Sequence, residues 1–127
     1  MNRKQHQNVI MKLAPNIIRQ RLLIEGFYSI NIDKEIITHF FREITNKLEL
    51  KVYGEPIIYS PEGLGKGENQ GYDAFIPLID SGISLYVWSE SKFLSLIIYS
   101  CKHFNSEEAI NNSISYFQLK EFESKLF

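Results

Sequence analysis

A surplus of charge of either sign is missing from this chain. Fourteen Lys and Arg stand against fifteen Asp and Glu, for a formal net charge of −1. There is no basic field to hold a nucleic-acid backbone and no acidic tail, so nucleic acid is not an expected partner. Long apolar runs are missing too. None approaches the ~20 residues that span a bilayer, and the opening stretch, MNRKQHQNVIMKLAP, lacks the apolar centre of a secretory signal. No membrane partner is expected. Cysteine is almost absent: Cys101 stands alone and has no intrachain disulfide partner, which suits a reducing cytoplasm. Histidine is scarce as well. His6, His39 and His103 fall on an arm, a helix and a loop without ligand spacing, so no metal site is expected.

What is present is apolar patterning. With 127 residues, 44% of them hydrophobic and 23% charged, the chain has the length and composition of one compact α/β domain. Residues 1–16 read as a polar arm and 17–127 as the domain. The chain is organised around GYDAFIPLIDSGISLYVWSESKFLSLIIYSC, Gly71 to Cys101. Phe75–Ile79 is an unbroken apolar run. Ile83, Leu85 and Val87 alternate with Ser84, Tyr86 and Trp88. Phe93–Cys101 is apolar and β-branched. Asp80-Ser81-Gly82 and Ser89-Glu90-Ser91-Lys92 supply the reversals. This is a three-stranded meander that needs a helical cover.

The flanks provide that cover and more strands. Ile17–Asn31 reads as a first strand in which Gly26 marks a bulge or a close backbone approach. Asp33 is an N-cap before Ile36, Ile37, Phe40, Phe41, Ile44 and Leu48, which recur at helical spacing to about Leu48. Leu50–Tyr59 reads as a strand interrupted at Gly54 and Pro56. A last helix starts at Ser106, with Glu107 and Glu108 favoured by the helix dipole. The order β-α-β-β-β-β-α predicts an α+β fold: a two-layer sandwich with a mostly antiparallel sheet and helices on one face.

Ser60–Asp73 holds four of the seven glycines. Its GLGKGENQG lacks the Gly-Lys-Ser/Thr of a phosphate loop and joins two strands, so it reads as a hairpin connection. Cys101, at a strand end, reads as a small buried hydrophobe or as a thiolate in a polar pocket.

These residues resemble a family. From Leu22 to Phe117 the chain is similar to the bacterial and archaeal S-adenosylmethionine decarboxylases, pyruvoyl enzymes of similar length. LLIEGFYS matches their opening strand. Tyr59-Ser60-Pro61-Glu62-Gly63 matches an aromatic-x-Pro-x-Gly element. Asp80-Ser81-Gly82-Ile83-Ser84 followed by Trp88-Ser89-Glu90 matches an acidic-Ser-x-x-Ser pattern running into Trp-x-Glu. Cys101 stands twenty positions after Ser81, where the family has its catalytic cysteine.

The chain also departs from the family. Gly82 and Tyr86 stand where the family has a His after the serine and a second His five positions after it. Asp80 replaces the usual Glu, and GKGENQGY is inserted. A phenol is a poor proton shuttle near neutral pH. A scaffold kept without its processing machinery implies another reaction on the same ligand. In size and pocket logic the chain is similar to the SAM lyases of phages and the SAM-AMP lyases associated with CRISPR antiviral defence, which use no pyruvoyl group.

The leading expectation is therefore a cytoplasmic lyase acting on S-adenosylmethionine or its AMP conjugate, releasing a methylthioadenosine product and homoserine lactone without a cofactor. The alternatives are a pyruvoyl decarboxylase self-cleaved between Asp80 and Ser81, and a non-catalytic SAM-binding subunit. The resemblance implies that Tyr59 stacks on adenine and Glu90 accepts from the ribose, with Trp88 and Tyr72 beside the ligand. Glu68 is expected to hold the methionyl end and Lys66 to meet a phosphate. Tyr86, Ser81 and Cys101 complete the candidate catalytic set. Aromatic residues on both sheet faces imply a homo-oligomer, with a trimer favoured over a dimer.

Overall fold

A computed structural model describes residues 12–61, 64, 67 and 70–127. Its elements are β1 (Gln20–Phe27), α1 (Lys34–Lys47), β2 (Ile57–Tyr59), β3 (Gly71–Leu78), β4 (Ser81–Trp88), β5 (Phe93–Ser100), α2 (Ser106–Phe117) and β6 (Phe122–Leu126). The strands form one antiparallel sheet in the order β2-β3-β4-β5-β1-β6. Both helices lie on one side of it, so the two-layer α+β sandwich read from the sequence is the architecture observed.

Period-two alternation sorts the strands into two faces. Leu22 and Ile24, Ala74, Ile76 and Leu78, Ile83, Leu85 and Val87, and Leu94, Leu96 and Ile98 all turn toward the helices and are buried. Against them α1 sets Ile37, Phe40, Phe41 and Ile44, and α2 sets Ala109 and Phe117. Phe40 and Phe117 join the two helices, their ring centroids 4.5 Å apart.

The helix starts follow capping chemistry. The Asp33 carboxylate accepts from the Ile36 N–H at 2.8 Å, satisfying a donor that has no partner within the first turn. At α2 the cap is Asn105 rather than Ser106: Asn105 Oδ1 accepts from the Glu108 N–H at 3.0 Å, and Ser106 is the first helical residue.

Four further boundaries differ from the sequence reading. The first strand starts three residues later and ends at Phe27, and Gly26 is a close approach: a Cβ there would lie 2.6 Å from the Glu121 carbonyl oxygen. The second strand shrinks to Ile57–Tyr59, and Val52 keeps only an isolated bridge to Leu78. Gly54 and Pro56 explain the gap, because neither supports a continuous ladder. The β3–β4 reversal is the pair Ile79-Asp80, so Ser81 opens β4 opposite Leu78 instead of sitting in the turn. The sixth strand, FESKL, was not expected. Four of its five residues are exposed, and an edge strand of that kind shows almost no apolar alternation.

Candidate functional site

Among the described residues the opposite face of the sheet carries no helix. The antiparallel register aligns its residues in rows that cross the strands. One row runs Tyr59, Asp73, Tyr86, Ser95, Glu25 and Glu123. On one side of it lies Ile57, Phe75, Ser84, Ile97, Leu23 and Lys125, and on the other Trp88, Phe93 and Phe27. The bare face is thus a polar, acidic strip between apolar and aromatic rows. Directly opposed residues have Cβ atoms about 4.5–5.5 Å apart, close enough for one small ligand to touch several of them.

The exposures match a usable surface. Tyr59, on a short outer strand, is 69% exposed and Tyr86 38%. Asp73 is exposed and makes no hydrogen bond or ion pair among the described residues, whereas the Ser95 hydroxyl donates to Glu25 Oε2 at 2.8 Å. At one end of the face Trp88 packs on Phe93, with centroids 5.6 Å apart, and Phe93 on Phe27 at 5.3 Å. The Tyr28 hydroxyl closes this end from behind, donating to the Trp88 carbonyl at 3.3 Å. Burial pushes the Tyr28 phenol above its ordinary pKa.

The other end of β4 holds Ser81 and Cys101. The Ser81 hydroxyl accepts a hydrogen bond from the Cys101 N–H at 2.9 Å, so the two residues that the family resemblance grouped are adjacent. They line a cavity of about 440 Å³ together with Glu49, Lys51, Asp80 and Lys102. Cys101 is partly exposed, which removes the buried-hydrophobe reading. Asp80 has a left-handed backbone, φ 55°, at the bond before the serine. Gly82 lies under the Phe75 ring: a Cβ at position 82 would sit 2.6 Å from two ring carbons, so any side chain there requires Phe75 to move.

The expected site residues therefore fall into two groups. Ser81 and Cys101 share one end. Tyr86 lies five residues along β4, roughly 17 Å away, and Trp88 roughly 24 Å away. Tyr59 and Tyr86 share a row, and Glu90 is exposed in the β4–β5 turn beyond Trp88. Tyr72 turns to the other face, half-buried against the core, so it is not beside the others. Lys66 and Glu68 lie outside the described residues. The sequence reading missed Asp73 and Glu25. Alternation carries the signal for both, since Asp73 is two residues from Phe75 and Glu25 two from Leu23 and Phe27, all on the bare face. Among the described residues His39 bonds Tyr116, His103 lines a different cavity, and no acid, His and Cys cluster suits a metal ion.

Comparison with known proteins points one way. A family model described as S-adenosylmethionine decarboxylase matches residues 24–127. Among solved structures, that of the adenosylmethionine decarboxylase from Aquifex aeolicus is similar with a TM-score of 0.69 and 16% identity. The match covers 87% of this chain and 89% of that one. No curated protein matches.

Proposed function

The chain belongs to the S-adenosylmethionine decarboxylase family, and from that premise we propose that it is a lyase acting on S-adenosylmethionine or its AMP conjugate. The observation that carries this reading is the surroundings of Ser81. Position 82 is a glycine beneath the Phe75 ring, and position 86 is a tyrosine on the far part of the strand. The serine hydroxyl is occupied as an acceptor by the Cys101 N–H. Self-cleavage requires that oxygen to lose its proton and attack the Asp80 carbonyl, and among the described residues no imidazole lines the Ser81 cavity to take the proton.

Lyase chemistry makes no such demand. The substrate's own carboxylate attacks its γ-carbon, the Cγ–S bond breaks, and its electron pair stays on sulfur. Neutral methylthioadenosine leaves and the remainder is homoserine lactone, with no proton or cofactor required. The protein's task is to hold the methionyl chain folded, and orientation of that kind can be worth about 7–11 kcal/mol. Tyr59 and Glu90 are assigned to the adenosine end, with Trp88 and Tyr86 beside it. Glu68 and Lys66 stay assigned to the methionyl and phosphate ends, as the sequence implies.

A homo-oligomer belongs to this reading. Phe75, Tyr86 and Tyr99 are each between 38% and 39% exposed on a face without helices, and a second copy of the chain is the occupant that fits. A twofold stack of two bare faces would enclose Tyr59, Tyr86 and Trp88 between copies, whereas Ser81, two residues before Ile83, turns with it toward the helix side. A trimer, expected from the sequence, would need a second contact surface. The pyruvoyl decarboxylase is the second reading, favoured by the strained Asp80 backbone at the required bond.

Intact mass and product chromatography decide. The lyase gives one chain of 14.9 kDa and methylthioadenosine from S-adenosylmethionine. Two fragments meeting between residues 80 and 81, with release of carbon dioxide, would establish the decarboxylase. Binding without turnover would leave a non-catalytic subunit.

A further inference from the structure

We propose that Asp73 is the group that recognises the positive sulfur of the substrate, and that it makes the site selective for a sulfonium over a neutral thioether. The inference rests on the assignment of an S-adenosylmethionine-type ligand to the bare face.

Position and neighbours carry it. Asp73 is the second residue of the cross-strand row, directly opposite Tyr59 on β2 and directly opposite Tyr86 on β4. It is exposed and has no hydrogen-bond or ion-pair partner among the described residues. Aspartate is among the residues least suited to a strand, and β3 is an interior strand paired on both sides. A carboxylate kept there without a structural partner is left over from the fold's needs. The two other acids of the row lie farther along it: Glu25 on β1 is already engaged by the Ser95 hydroxyl at 2.8 Å, and Glu123 is on the edge strand β6, away from both tyrosines.

A trialkyl sulfonium has no N–H or O–H to donate. It cannot be held by directional hydrogen bonds, so a site for it needs fixed negative charge and the electron-rich faces of aromatic rings. One carboxylate flanked in register by two phenol rings is such a site. An ammonium ion would be served as well by Glu25 or by backbone carbonyls. The tyrosine pair therefore favours the sulfur as the group at Asp73. The placement also suits the proposed displacement. A cation held in the ground state loses its charge as the Cγ–S bond breaks, so Asp73 contributes to binding and not to the barrier-lowering step, and the neutral thioether product is released.

The test compares two ligands that differ by one methyl group and one charge. S-adenosylmethionine carries the sulfonium; S-adenosylhomocysteine keeps the adenosine and amino-acid ends on a neutral sulfur. Titration calorimetry on the full chain should show that Asp73→Asn weakens S-adenosylmethionine at least tenfold and leaves S-adenosylhomocysteine within about twofold. Asp73→Glu, which restores the charge, should recover part of the preference. An unchanged melting temperature would confirm that Asp73→Asn remains folded. Equal weakening of both ligands, or weakening of neither, would overturn the role of Asp73 and leave the lyase reading standing. Failure of the wild-type chain to bind either ligand or the AMP conjugate of S-adenosylmethionine would instead remove the lyase reading, and this inference with it.

Discussion

The two faces of one sheet differ more than any two elements of this chain. The same five-residue stretch of β5, Leu94 to Ile98, sends Leu94, Leu96 and Ile98 into a core with no exposure, and Ser95 and Ile97 onto the bare side. On the covered face the buried strand side chains are mostly aliphatic. On the bare face they are ordered by type, with apolar, acidic and aromatic rows side by side. A face whose only task is to exclude water needs volume and shape. A face that keeps carboxylates among aromatics does so at a cost in strand propensity, and the proposed ligand is what would offset it.

The sharpest way to break this comparison is at neighbouring residues. Leu96→Ala should destabilise the chain by about 2–5 kcal/mol in urea, the cost of a cavity in a closed core. Ile97→Ala, one residue on, should leave the unfolding free energy of the isolated chain within about 0.5 kcal/mol, as for a surface position. Its effect should appear in light scattering as a shift toward the monomer. Equal destabilisation by the two would mean that both faces serve the core alike. A wild-type particle of ~15 kDa at micromolar concentration would remove the interface from the bare face.

The next effect in size falls on the ligand. Tyr59→Ala should lose about 1–3 kcal/mol of affinity for S-adenosylmethionine, the worth of one base–aromatic stack. Glu90→Ala should cost about 1.5–3 kcal/mol, as for a hydrogen bond to a charged group. Both substitutions sit at exposed positions, so neither should move the melting temperature by more than a degree or two. Unchanged affinity in both variants would place the adenosine end elsewhere.

Much of the fold was legible because its signals are local. The meander, α1 and α2 follow from periodicity and capping residues, and the grouping of Ser81 with Cys101 was implied by the family resemblance. Three features were not legible, each for a physical reason. The sixth strand is held by pairing with β1 and carries little apolar pattern of its own. The position of Ser81 depended on a two-residue turn at Ile79-Asp80, where the left-handed residue is an aspartate and not the glycine that follows. The division of the candidate site into two ends depended on strand length: residues five to seven apart are close in sequence but far apart on an extended chain. Asp73 and Glu25 were visible in the alternation, yet only register shows that they share a row.

A smaller effect sharpens the account of α2. Asn105→Ala should cost about 1 kcal/mol, because the Glu108 N–H loses its acceptor. Ser106→Ala should cost little, since that hydroxyl is not the cap. The reverse order in urea denaturation would return the cap to Ser106.

The smallest expected effect is a pH dependence at the seam between the faces. Tyr28 belongs to the core, and its hydroxyl reaches round to the Trp88 carbonyl. Burial raises its pKa above the ordinary 10.0, the Ser89 side chain lowers it in part, and Tyr72 adds a smaller upward push. A phenol raised on folding is held in its neutral form. Its contribution is complete below the unfolded-state value and is lost as pH rises through the higher folded value. Tyr116 on the helical side behaves likewise, raised first by burial and then by the charges of Glu43 and Asp33. Stability should thus be flat with respect to these two groups near neutrality and decline above about pH 10. Tyr28→Phe should lose about 1 kcal/mol at pH 7 with the hydrogen bond and show a shallower alkaline decline, the remainder belonging to Tyr116. Denaturation midpoints between pH 7 and pH 11 check this, and parallel curves for wild type and Tyr28→Phe would show that the phenol titrates as it does in the unfolded chain.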